Sequence, residues 1–274
     1  MSSHRPPLAE LPPAVAGTAA FSKFMRVLQL AADATGPVTV AMLARESGYP
    51  RPTVHRIVQA LLAERLLIDK PGAGTLALGP RLLQLASRSW GRSELRLAAV
   101  DALKRLRDLT GETVHLAVPS GASMVYIEKL ESPSAVRMGS RIGTSVCLHA
   151  TAVGKAYLSM LDDAARDALI ATLQMPRYTP RTLTGRDALL AQLAQARERG
   201  WAFDNEEHEA GIQCFGAAIL GELGVPVAAI SVTTLRFRQK EDVVQAYVQP
   251  LLEACRSISD RIAATPSLSA ADVL

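Results

Sequence analysis

Arg51, Thr53, His55, Arg56 and Gln59 carry donors and acceptors that can meet phosphate oxygens or base edges. They alternate with Val54, Ile57, Val58, Leu61 and Leu62, apolar residues three and four apart. A helix over this stretch therefore turns the polar set outward and the apolar set inward. A shorter apolar period, Val40, Leu43 and Ala44, precedes it and ends at Ser47-Gly48-Tyr49. Gly48 can take the left-handed backbone that stops a helix and opens a sharp corner. Two short helices around such a corner are the build of a helix-turn-helix, whose second helix enters the DNA major groove. The competing reading is an ordinary helical hairpin with a solvated basic face. Residues 66–79 then alternate short apolar runs around Pro71-Gly72-Ala73-Gly74, which predicts a β-hairpin and hence a wing. Lys70 in the wing and Thr39 ahead of the first helix complete the candidate DNA-contacting set.

Charge agrees with that chemistry. Residues 1–91 hold ten Lys and Arg against five Asp and Glu, while residues 92–274 hold twenty against twenty-one. The positive excess lies wholly in the part expected to meet phosphates.

A second group of chemically able residues lies near the C-terminal end. Asp204, Glu206, Glu207 and Glu209 cluster around His208. A metal site and a solvated acidic loop both fit this composition, and adjacency on a strand end and loop favours the loop. Cys214 invites a nucleophile reading, which needs a nearby base and a depressed pKa. His149 and His115 are available, yet no local signature joins them to Cys214, so a core or ligand-contacting thiol is preferred and no catalytic residue is assigned. The small residues of HATAVGKA open a helix whose N-terminal N–H groups, from about Ala150 to Gly154, could receive an anion. The same small residues could merely let that helix pack tightly.

The elements that must position these residues follow from the patterns around them. The chain has 274 residues, enough for two domains with separate cores. Residues 1–20, with two Pro-Pro pairs, read as a disordered arm, and residues 266–274 as a flexible tail. Between them we expect a winged helix-turn-helix over 21–79, a linker helix over 80–91 and a ligand-binding domain over 92–265. In the last, a helix over about 94–112 precedes strands of period two from Thr113, on either side of Ser120-Gly121. Helices are expected over 149–161, 162–173 and 185–199, strands at WAFDNEE, CFGAAIL and VPVAAISVTT, and a closing helix over 240–264. Strands at both ends with helices between them give an α+β fold, an antiparallel sheet flanked by helices. No apolar run approaches the ~20 residues needed to cross a bilayer. Cys147, Cys214 and Cys255 are few, odd in number and without metal-ligand spacing, which suits a reducing cytoplasm. No cofactor or metal is expected.

Residues 22–264 resemble the IclR family of bacterial transcriptional regulators. The resemblance rests on PRPTVHRIVQALL and LGPRLLQLA in the first domain, and on LHATAVGKAYLS and RGWAFDNEEHEAGIQCFGAAI in the second. It implies a winged helix, a linker helix and a C-terminal sensor domain of the GAF/PAS-like kind. It further implies double-stranded DNA as partner, bound at a pseudo-palindromic operator by a homodimer or homotetramer, and a small organic acid as effector. By the same match, Asp204, Cys214, Ser231 and Thr233 line the effector pocket. Ala152 and Val153 face it from the helix beside Gly154, and Val136 and Met138 form an apolar wall. Leu76 and Ala77 in the wing depart from the aromatic or basic residues many members carry there. The alternative reading is a small-molecule-binding or hydrolytic sensor that uses Cys214, with the winged helix serving protein contacts.

Overall fold

The computed structural model describes residues 17–90, 94–136 and 138–264. The chain divides into two compact units between residues 92 and 93. Most of the expected N-terminal arm, the whole expected tail and the expected kink at Gly91 lie outside the described residues.

The first unit begins with α1 (Ala19–Asp33), two residues earlier than the arm allows for. α2 (Val40–Ser47) starts at Thr39, whose hydroxyl accepts the Met42 N–H at 3.1 Å and caps the helix. It stops at Gly48, with φ at 72°, whose N–H returns to the Ala44 carbonyl. α3 (Arg51–Ala63) follows with Pro52 in its first turn. Val54, Ile57, Val58 and Leu61 of α3 bury against Val27 and Leu30 of α1 and Leu43 of α2. Strands β1 (Leu67–Lys70) and β2 (Thr75–Leu78) pair antiparallel as the wing. Leu76 does not face outward: it is buried in this small core, and its N–H is held by the Val38 carbonyl at 2.8 Å. α4 (Pro80–Trp90) closes the unit.

The second unit is built on a six-stranded antiparallel sheet in the order β5-β4-β3-β8-β7-β6. The strands are β3 (Thr113–Ser120), β4 (Ser123–Leu130), β5 (Ser145–Cys147), β6 (Ala202–Asn205), β7 (Ile212–Leu220) and β8 (Pro226–Leu235). Alternation sorts their side chains onto two faces. Val114, Leu116, Val118, Phe215, Ala217, Ile230 and Val232 pack with α5 (Glu94–Thr110) and α9 (Gln249–Ala263). The opposite face meets α6 (Ala152–Met160), α7 (Asp163–Thr172) and α8 (Arg186–Arg199) through Ala117, Met124, Ala202 and Ala229. α6 is shorter than expected because Thr151, not His149, is its cap: the Thr151 hydroxyl accepts the Gly154 N–H at 3.2 Å. The closing helix also departs from expectation. A π-turn over Val244–Val248 precedes α9. Pro250 sits in the first turn of α9 and has no N–H to give a regular helix upstream, so the backbone widens there.

Candidate effector site and nucleic-acid interface

The sheet face under α6 gathers polar residues from four strands. Thr113 of β3, Thr233 of β8, Cys214 of β7 and Asp204 of β6 are successive cross-strand partners and form one row. The next row is His115, Ser231, Gly216 and Ala202. Directly opposed residues share a face, with Cβ atoms about 5 Å apart. Residues more than a hundred positions apart in sequence thus become neighbours. Tyr126 joins them because β4 bulges at the Leu116/Ala117 register, which puts Tyr126 opposite Ala117 and leaves Ile127 packed with the core on the other face.

Most of this face is covered, although Cys214 and Tyr126 are only half-buried. Asp204 is 3% exposed, Ser231 2% and Thr233 5%. Two surface grooves that open to solvent lie elsewhere, one beside Arg81, Gln84 and Leu85, the other between Met160, Arg197 and Leu223. α6 sits so near the sheet that a Cβ on Gly216 would collide with the Ala152 carbonyl, and one on Gly154 with the Leu148 backbone. Ala152, Val153 and Gly154 are buried. The Gly154 amide is already engaged by Thr151, so it is not a free anion donor. Met138 is half-buried, whereas Val136 is 48% exposed and turns to solvent.

The acidic cluster is not the solvated loop its composition suggested. Lys155 of α6, itself buried, donates to Glu207 Oε1 at 2.6 Å, to Gln192 Oε1 at 2.7 Å and to the Phe203 carbonyl. Glu206 receives Arg236 at 2.8 Å and the Gly211 N–H at 2.9 Å. Thr179 and Thr182 donate to the Glu206 and Glu207 carbonyls. Asp204 Oδ1 accepts the Glu207 N–H at 2.8 Å and the His208 N–H at 3.4 Å. A buried carboxylate needs such partners, and the cation that supplies them stands some fifty residues away in sequence. Among the described residues no group of His, Cys, Asp and Glu is arranged to hold a metal ion.

Burial also sets the protonation states. It lifts Asp204 to about 7, against the opposing pull of Lys155. It lowers His115 to about 3, with the Lys129 ammonium adding to the effect. It pushes Cys147 up to about 11 and Cys214 well above the ordinary thiol range. Cys214 is therefore a thiol that exchanges a hydrogen bond with Thr233, not a thiolate poised for attack. His115 stacks on Tyr126 at 4.5 Å between ring centroids and bridges Thr233 and Ser140. Beside the rows, Tyr178 bonds the Cys147 sulfur and lies between the rings of His149 and His208. Tyr126, Ser140, Tyr178 and Lys155 were missed in the sequence. The helical stripe of α6 counts Lys155 as an outward polar residue, and nothing local says that α8 and the 204–211 loop cover it.

In the first unit, Arg51, His55, Arg56 and Gln59 are exposed along one side of α3, and Thr53 is half-buried at its start. Lys70 is exposed at the end of β1, beside a turn in which Gly72 and Gly74 have φ of 77° and 59°. Thr39 spends its oxygen on the α2 cap.

Comparison with known proteins decides what this pairing of units is. Residues 21–68 match the IclR helix-turn-helix domain, and residues 88–260 match the bacterial transcriptional regulator IclR C-terminal domain. The chain belongs to the IclR family of bacterial transcriptional regulators. It is 31% identical to the HTH-type transcriptional regulator XynR of Escherichia coli K12 over 235 residues, 86% of this chain and 93% of that one. It is 30% identical to the transcriptional repressor IclR of the same organism, over 93% of this chain and 94% of that one. Among solved structures, an IclR homolog of Microbacterium hydrocarbonoxydans complexed with 4-hydroxybenzoate superposes with a TM-score of 0.77 at 26% identity, covering 90% of this chain and 100% of that one. As in its IclR relatives, an N-terminal helix-turn-helix for DNA is joined here to a C-terminal effector-binding domain of curled antiparallel sheet and helices.

Proposed function

We propose that this IclR-family regulator binds a small hydroxylated organic acid, aliphatic or with one aromatic ring, on the polar face beneath α6, and that occupancy alters its hold on a pseudo-palindromic operator. The observation that carries the reading is the alignment of Thr233, Cys214 and Asp204 as one cross-strand row, next to Ser231. That row has hydroxyl donors toward one end and a carboxyl group at the other. A ligand with a carboxylate or carbonyl at the hydroxyl end and a hydroxyl at Asp204 would satisfy both, which buried polar groups require. The 4-hydroxybenzoate bound by the Microbacterium relative has this disposition of groups. On the DNA side, Arg51, Thr53, His55, Arg56 and Gln59 would meet the major groove, with Lys70 reaching a flanking phosphate. One winged helix covers a half-site, so a homodimer or homotetramer is proposed.

Thermal unfolding of the full chain with 4-hydroxybenzoate, 4-methoxybenzoate and a series of hydroxy and keto acids tests the ligand class. A binder should raise the melting temperature, because it holds only the folded state. Ser231→Ala should weaken binding by about 1–3 kcal/mol, the usual cost of an unmet buried hydrogen bond. Methylating the phenol should abolish the contribution of Asp204. Stabilisation that survives both changes in full would put the site elsewhere.

A further inference from the structure

His115 stands directly across from Ser231 on the neighbouring strand and beside Thr233, both proposed ligand contacts, and it has a part in choosing the ligand. It is 2% exposed, and both its ring nitrogens are engaged. Nδ1 stands 3.3 Å from Thr233 Oγ1, and Nε2 stands 2.8 Å from Ser140 Oγ. Stacking on Tyr126 keeps the ring plane in place. A neutral imidazole carries one N–H and one lone pair, so the two sides cannot play the same role.

Lys129 breaks the tie. Its ammonium, on a side chain 8% exposed, donates to the Ser140 carbonyl at 2.8 Å, to the Met138 carbonyl at 2.8 Å and to Glu131 at 3.2 Å. The ammonium and Nε2 thus hold two atoms of the same residue, Ser140. A positive charge on that side favours a lone pair facing it and disfavours an N–H. Nε2 is then the acceptor for the Ser140 O–H, and the proton resides on Nδ1. Nδ1–H donates to Thr233 Oγ1, which leaves the Thr233 O–H directed away from His115, toward Cys214 and the proposed ligand space.

We propose that His115 is a specificity-determining residue: fixed as the Nδ1–H tautomer by Ser140 and Lys129, it makes Thr233 a hydrogen-bond donor to the effector, so the group accepted there is a carboxylate or carbonyl oxygen. The proposal rests on the effector face described above, and it orients the ligand. The acceptor group goes to Thr233, and the donor group goes to Asp204 at the far end of the same row. His115 acts through Thr233 and need not touch the ligand.

The tautomer is measurable without any ligand. In the full chain labelled with 15N-histidine, a long-range 15N–1H correlation at pH 7.5 reports which nitrogen is protonated, and loss of a signal in His115→Gln assigns it. Nδ1 protonated and Nε2 bare is expected. Lys129→Met should shift the balance toward Nε2–H, and Ser140→Ala, a second route to the same change, should do so if Lys129→Met does not fold. Nε2–H in the wild type, an imidazolium at this pH, or a tautomer indifferent to the folded variant would overturn the proposal. A ligand arm then uses 4-hydroxybenzoate against 4-hydroxybenzyl alcohol, which replaces the carboxylate by a group that also donates. The wild type should prefer the acid at least tenfold, and Lys129→Met should lose threefold or more of that preference. Thr233→Ser should retain it and Thr233→Val should not; retention by Thr233→Val would count against the donor role. Failure of 4-hydroxybenzoate to bind the wild type would remove the assumed ligand class, while the tautomer measurement would still decide whether His115 is set as proposed.

Discussion

Asp204 is the residue whose chemistry most depends on the fold around it. Burial raises it to about 7 from an ordinary 3.8, so the folded chain holds this proton more firmly than the unfolded chain does. Its contribution to stability is therefore complete below about pH 4 and is lost as pH rises through 7. Asp204→Asn keeps the Oδ1 that accepts from Glu207 and His208 but has nothing to titrate. Relative to wild type, the variant should gain stability between pH 4 and pH 7, by up to about 4 kcal/mol in urea unfolding. His115 works in the opposite sense, destabilising as pH falls below 6.5, but it is common to both proteins and cancels from their difference. A difference that shrank on raising the pH would refute the assignment. On the DNA side, Arg56 is exposed on α3, and Arg56→Ala should weaken operator binding by about 1–3 kcal/mol in a gel-shift titration. Unchanged affinity would take α3 out of the interface. These residue types could be chosen from the sequence alone, because Arg51, Arg56 and Gln59 stand between the apolar residues of one helix. The state of Asp204 could not, since it depends on burial by elements distant in the sequence, with Lys155 of α6 pulling the other way.

The elements divide in the same way. Period-two alternation located β3, β7 and β8, and the three-and-four spacing located α3, because each signal is local. What escaped was non-local or irregular. The bulge at Leu116/Ala117 moves Tyr126 onto the polar face, and no residue type in β4 announces it. The buried turn after Asp204 read as solvated because its partners, Thr179, Thr182, Lys155 and Arg236, come from three other places in the chain. In sequence Gly216 is only one residue of a strand, yet it is where α6 rests on the sheet. Gly216→Ala should force α6 outward and lower stability by about 1–3 kcal/mol, the range for overpacking a close contact. Gly121→Ala, at a turn with open space around it but φ of 56°, serves as the comparison, with backbone strain alone and no effect on ligand binding. If Gly216→Ala left both melting temperature and binding unchanged, α6 would be free to move, contrary to the packing described.

At the scale of the molecule, two units with separate cores divide the labour between DNA and ligand. The net positive charge of the first was visible from composition, and salt dependence should report it: operator affinity should fall steeply and linearly on logarithmic axes as salt rises. Light scattering should give two or four times the chain mass at micromolar concentration. A chain that remained single on its operator would contradict the half-site argument.

The cover over the polar face also has a consequence in time. Since Asp204, Ser231 and Thr233 are almost wholly covered, a ligand that binds them must wait for the covering elements to part. In a stopped-flow experiment the observed rate should rise with ligand concentration and then level off at the rate of opening. A regulator built this way takes up its effector no faster than its cover opens, however abundant the effector is.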